Sequence, residues 1–235
     1  ERVVEVLDLD DLIPVFQERI ADGTLYGDFQ YSTDANSREF LRRGIFSRYR
    51  PVDDKTPMPD TQKELATEGW NRLVYLAHVD KKAAFEFYSA YYRSTSGQLY
   101  WSDTHQLSVY IDNYHQELDQ RLGAKEKGTE MITEIYFPRN ASSPFLEDVR
   151  KDLRANQGNI IFGTFRLIEK DDESFLVWAK EPYACIIFNL HTAHNQQALD
   201  KTAGDFRRLI DRAIQHGGSY YLTYHRWATR NQVET

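Results

Sequence analysis

The stretch from Tyr183 to Arg230 constrains this chain most. It reads YACIIFNLHTAH, then a long amphipathic segment, then GGSYYLTYHRWATR: strand, helix, strand. The first strand ends in Asn189, His191 and His194, the second in Tyr224, His225, Arg226 and Trp227. Polar and aromatic groups at the ends of core strands are costly to bury without partners, and cost little where they line a ligand pocket.

The pattern extends upstream. Residues 129–138 read as a strand, and Ser143 and Pro144 as the N-cap and first residue of a helix carrying Phe145, Val149 and Leu153 inward. Residues 159–168 are a strand, and Asp171-Asp172-Glu173 turns into another at 174–180. After the strand 183–191, a helix over 195–215 buries Leu199, Ala203, Phe206, Ile210 and Ala213, and Gly217-Gly218 stops it before a last strand at 219–226. The order β-α-β-β-β-α-β predicts an α+β fold. Its core is a mainly antiparallel, ferredoxin-like split βαβ sheet with helices on one face and one extra strand.

The first half reads as mostly helical additions. Asp8 is placed as the N-cap of a helix through Leu9, Leu12, Ile13, Phe16 and Ile20, stopped by Gly23. A strand follows at 25–31, and Arg38 to Tyr49 supplies a short helix or turn and another strand, before a loop at 51–60 with Pro51, Pro57 and Pro59. Helices are expected at 61–77 and 80–95, the second with a core-type stripe of Phe87, Tyr88, Tyr91 and Tyr92. Leu107, Tyr110, Ile111, Tyr114 and Leu118 predict a further helix ending near Gly123. A subdivision into 1–125 and 126–235 fits this pattern.

Side-chain alternation assigns faces. Ala184, Ile186, Phe188 and Leu190 should meet the helices, with Met131, Thr133, Ile135 and Phe137, and with Ile161, Gly163, Phe165 and Leu167. The other face then collects Glu134, Arg166, Asn189 and His191, beside Tyr183, Cys185 and Ile160. Aromatics mixed with few charges read as a pocket floor or a domain interface. The plainer alternative is a cross-strand ion pair of Glu134 with Arg166. In the last strand, Leu222 toward the helices would take Tyr220 and Tyr224 with it, unless the strand bulges.

Charge and composition exclude several classes. The 235 residues carry a net charge of -7, which argues against nucleic acid as a partner, since phosphate binding needs a basic face. Cys185 is the single cysteine, so an internal disulfide is impossible. The absence of an apolar run long enough to span a bilayer, and of a signal peptide, points to a cytoplasmic protein. With 15 tyrosines, part of the aromatic content is available to line a cavity. His191, His194 and His225 lack an acidic companion motif, so no metal site is assigned.

The segments YGDFQYSTD (26–34), FLRRGIFSRYRPV (40–52), LYWSDTHQLSVYIDNYH (99–115), EMITEIYFPR (130–139), FGTFRLIEKDDESFLVWAK (162–180), ACIIFNLH (184–191) and GGSYYLTYHRWATR (217–230) resemble FAD-linked oxidoreductases of the vanillyl-alcohol-oxidase superfamily. The sheet is more remotely similar to the substrate domain of decaprenylphosphoryl-ribose oxidase and of sugar-lactone and alditol oxidases. The resemblance implies that residues 1–235 form the substrate (cap) domain of a longer flavoprotein, covering an isoalloxazine ring held mainly by an N-terminal FAD-binding domain. That domain and a small-molecule substrate are the implied partners. Against the decaprenylphosphoryl-ribose oxidase, Glu134 falls at a pocket glutamine, Arg166 at a pocket lysine, Cys185 at a pocket cysteine and Tyr224 at a lysine near the flavin.

The expected activity is therefore oxidation of an alcohol carbon. Tyr224, His225 and Glu134 are the catalytic candidates. Arg166, Asn189, His191, Tyr183 and Cys185 are expected on the substrate, and Arg226 on the cofactor. The rival expectation is a stand-alone ferredoxin-like module that binds a ligand or regulates without catalysis.

Overall fold

A computed structural model describes residues 1–105, 109, 111–175 and 177–235. Leu107 and Tyr110, expected in a helix, lie outside the described residues. The organising strand is β7 (Tyr183–Ala193), buried along most of its length. Burial on both faces is why it reads as a nearly continuous apolar run. It pairs antiparallel with β4 (Gly128–Pro138) in unbroken register, from Gly128 opposite Ala193 to Pro138 opposite Tyr183. Its other edge pairs with β5 (Ile160–Phe162) and β6 (Thr164–Ile168). The short β8 (Ser219–Tyr220) closes on β4.

With α5 (Ser142–Ala155) and α6 (Gln196–Gln215) as crossovers, β4, β6, β7 and β8 form the split βαβ core. The sheet continues through β2 (Tyr26–Tyr31), β3 (Arg43–Tyr49) and β1 (Arg2–Asp8), in the order β1-β3-β2-β6-β7-β4-β8. One sheet thus runs through both halves of the sequence.

α5 and α6 cover one face, as expected for the core, joined there by α1 (Leu12–Ala21). Phe16, Phe145, Val149, Phe206 and Ile210 pack with Phe46, Ile135, Phe137, Phe165, Ile186 and Phe188. The N-terminal helices roof the other face: α2 (Thr67–Val79), α3 (Lys81–Ser94) and α4 (Tyr114–Leu122). Asp80 caps α3 by accepting the Ala83 N–H at 3.0 Å. The buried Arg2 ties α3 to the sheet edge, donating to Thr95 Oγ1 and to Tyr49 Oη, each at 2.9 Å. Its guanidinium lies over the rings of Tyr49, Tyr92 and Tyr100.

Several local expectations are corrected. Asp8 is the last residue of β1, an edge strand absent from the sequence reading, and the chain passes through a 3₁₀ turn before α1. A half-exposed edge strand carries only a weak alternation signal. Helix α5 starts at Ser142, so Ser143 and Pro144 occupy its first turn, where a proline costs no helical hydrogen bond. No strand forms among the described residues of 174–180. Asp171 instead holds a turn through the N–H groups of Glu173 and Ser174, at 3.0 and 2.9 Å. The last strand is two residues long rather than reaching Arg226, because its pairing ends once the Tyr221 N–H has met the Glu134 carbonyl.

The expected strand 159–168 is broken at Gly163, with a register shift between Ile160 and Phe162. That shift exchanges two assigned faces: Ile160 joins the core under α5 and α6, and Ile161 packs against α2 and α3. Gly163 is required here by close approach. The Tyr31 hydroxyl donates to the Ile187 carbonyl at 2.5 Å, and a Cβ on residue 163 would sit 1.8 Å from that hydroxyl. Gly163→Ala should therefore lower stability by about 1–3 kcal/mol in urea unfolding. Gly204→Ala, inside α6 with only Arg208 Nη1 at 3.5 Å, should raise it by roughly 0.5–1 kcal/mol.

Candidate functional site

Between the sheet and the α2–α3 roof lies a cavity of about 740 Å³. That is the size of an ordinary small-molecule site. Arg166 and Asn189 line it, as the alternation of β6 and β7 predicts, with Asp28 and Gln30 from β2. The roof supplies Leu73, Val74 and Ala77 from α2, and Tyr88 and Tyr92 from α3. The α3 stripe therefore divides between packing and cavity wall.

Two ionisable groups in the cavity were missed in the sequence. Burial pushes the Asp28 carboxyl up, against the opposing effects of the Gln30 amide, which donates to Oδ2 at 3.2 Å, and of the Arg166 charge. Lys81, at the start of α3, is pushed down to about 8, chiefly by burial. Its Nζ donates to Asn159 Oδ1 at 2.8 Å and to the Ile160 carbonyl. Groups shifted toward neutrality inside a cleft are suited to proton transfer. Asp28 sits in an ordinary strand pattern, and only the roof turns its position into a cavity wall.

Along the same face, Glu134 is 8% exposed and accepts from Cys185 Sγ at 3.1 Å and from Tyr224 Oη at 3.3 Å. Burial first, then the Glu134 charge, raises the Tyr224 hydroxyl and puts the Cys185 thiol well above its usual value. Tyr136 is raised by the same causes. Trp178 lies 4.7 Å from the Tyr136 ring, and Leu222 and Tyr224 are exposed; none of Glu134, Cys185 and Tyr224 lines the cavity. The Glu134–Arg166 ion pair is not formed among the described residues, since β7 separates the two strands. Arg166 sits opposite Cys185 and is exposed.

The remaining expected residues scatter. Tyr183 is buried beneath Tyr136, outside the cavity lining. His225 turns to the opposite face and stacks on Phe206 at 4.4 Å, so it does not share a site with Tyr224. Burial lowers its imidazole. Arg226 is exposed. His191 lies eight residues from Tyr183, roughly 27 Å along an extended strand, so one small substrate cannot touch both.

His191 belongs instead to a hub at the start of β4. Glu130 Oε1 meets His78 Nε2 at 2.9 Å and His191 Nδ1 at 3.1 Å. Oε2 meets His115 Nε2 at 3.2 Å and accepts from the Tyr114 hydroxyl. Burial would raise this carboxyl, but the bonds from His191, His78 and Tyr114 overcome it and hold it well below the carboxylate range. The three histidines come from α2, α4 and β7, too far apart in sequence to show as a motif. His194 and His225 are not part of this group.

No protein-family model matches the chain, and no curated protein is significantly similar to it. Among the described residues, no helix is long and apolar enough to cross a membrane.

Two measurements check these environments. At pH 8 the Cys185 thiol should react with Ellman's reagent at least about 100-fold more slowly than a free cysteine, and normally after unfolding in guanidinium. Glu130, held below its unfolded value of about 4.3, adds stability that is complete above about pH 5 and is lost as the pH falls. In EDTA, Glu130→Gln should therefore lower stability at neutral pH and flatten its acid limb in urea titrations.

Proposed function

We propose that this chain is the substrate domain of an FAD-dependent oxidoreductase that oxidises an alcohol carbon of a small, polar, sugar-like molecule. It acts in the cytoplasm beside its own flavin domain. One observation carries the reading: the roofed cavity shares a sheet face with the hydrogen-bonded group Tyr224–Glu134–Cys185. The sequence resemblance supports it.

When bound, the flavin accepts the hydride. This chain's residues fit that partner beside Glu134, where Trp178, Tyr221, Leu222 and Tyr224 offer aromatic and apolar surface to a flat ring. The phosphates are left to the flavin domain. Arg166 and Asn189 orient the substrate's hydroxyls. Tyr224 stays a neutral hydroxyl at working pH because its pKa is raised. It takes the substrate's hydroxyl proton while passing its own to the Glu134 carboxylate. Cys185 holds that carboxylate in place. His225 has no part, because it faces the other side of the sheet.

A second reading, a ligand-binding module without catalysis, draws on the cavity being walled within one chain. Variants of the protein carrying its flavin domain separate the two. Tyr224→Phe and Glu134→Gln should each slow flavin reduction by about 100-fold in stopped-flow measurements. Arg166→Ala should mainly weaken substrate binding. Parental reduction rates in both Tyr224 and Glu134 variants would leave the cavity as a binding site alone.

A further inference from the structure

The hub around Glu130 lies outside the proposed reaction and has its own chemistry. Its three inner groups, His78, Glu130 and His191, place one donor atom each within 4.8 Å of one another. A tetrahedral site with bonds of about 2.0–2.1 Å spaces its donors about 3.3–3.5 Å apart. The separations of 2.9 and 3.1 Å from Glu130 Oε1 to the imidazoles need only a small opening to reach that.

The hydrogen bonds orient these groups for a cation. His78 Nδ1 lies 2.8 Å from the Val74 carbonyl, an acceptor, so this nitrogen carries the proton. A neutral His78 then turns the lone pair of Nε2 toward the Glu130 carboxylate. Two acceptors facing each other repel unless a positive charge stands between them. Imidazole fixed through a backbone carbonyl is the usual support of a metal-bound histidine.

The outer groups match the same arrangement. With Oε1 turned to the imidazoles, Oε2 is held by the Tyr114 hydroxyl and His115. His191 is fixed by packing: a Cβ on Gly128 would sit 2.3 Å from its Cε1, so the ring lies against bare strand backbone. The His78 and Glu130 side chains are 4% and 11% exposed, while His115 at 33% leaves an approach from solvent.

We propose that His78 Nε2, His191 Nδ1 and Glu130 Oε1 form a binding site for a divalent transition-metal ion of the zinc type, with a water at the fourth position. Two imidazoles and a carboxylate are a donor set zinc accepts. The ion would join α2 to β4 and β7. Val74 and Ala77, within one turn of His78, line the cavity, so the ion also stiffens the cavity roof. The site is independent of the oxidoreductase reading.

The test uses Co²⁺ and Zn²⁺ alone on chelator-treated protein. The chain should take up one equivalent of Co²⁺ with visible d–d absorption, and one equivalent of Zn²⁺ should displace it and raise the thermal midpoint. Uptake should weaken as the pH is lowered, because protons compete with a cation for imidazole nitrogens. Tyr114→Phe should cost about 10-fold in affinity, as loss of an outer partner does. His191→Ala and the near-isosteric Glu130→Gln should each cost more, about 100-fold or above. Circular dichroism identifies any unfolded variant, and Glu130→Gln decides the matter if His191→Ala fails to fold. A parent protein without stoichiometric Co²⁺ uptake, or a folded Glu130→Gln with parental affinity, overturns the proposal.

Discussion

The unbroken pairing of β7 with β4 is the constraint on which the rest depends. Eleven residues of β7 run in register with β4, and they present side chains to two buried faces at once. One face supplies Ala184, Ile186, Phe188 and Leu190 to the core under α5 and α6. The other supplies Cys185, Ile187, Asn189 and His191 beneath or beside the α2–α4 roof. A slip of one residue would exchange the two sets and put Asn189 and His191 into the hydrophobic core. The length of this ladder makes such a slip prohibitive.

Because β7 alternates rigidly, its second face becomes a row of separate environments rather than one site. Cys185 meets Glu134, which also accepts from Tyr224, near one end, Asn189 lies in the cavity, and His191 meets Glu130 at the other end. Each carboxylate lies on β4, four residues from the other, and each gathers hydrogen bonds from elements distant in sequence. Glu130 draws partners from α2, α4 and β7, and Glu134 from β7 and the segment after β8. Buried carboxylates need such partners, since burial alone would favour their neutral forms. These two residues hold the roof and the segment after β8 to the sheet.

Legibility differed along the chain for physical reasons. The faces of β4, β6 and β7 followed from period-two alternation, which holds wherever a strand is regular and covered on both sides. Alternation failed at Ile160 and Ile161, where the register shifts between Ile160 and Phe162, next to Gly163, over which Tyr31 reaches the Ile187 carbonyl. It failed again beyond Tyr220, where the strand leaves the sheet, so Tyr224 reaches Glu134 while His225 turns to Phe206. Edge strand β1 was hidden because its half-exposed residues alternate weakly.

The sequence by itself determined the α+β class, the split βαβ core apart from the extra strand expected at 174–180, and the placing of Arg166, Asn189, Glu134 and Cys185 on one sheet face. These follow from local periodicity, which every segment carries within itself. Only the tertiary structure decided that α2, α3 and α4 roof that face, that Asp28 and Lys81 border the cavity, and that His78, His115 and His191 meet at Glu130. His78 and His191 lie 52 and 61 positions from Glu130 in the sequence. No local pattern encodes such contacts, because they depend on which buried surface each helix finds to cover.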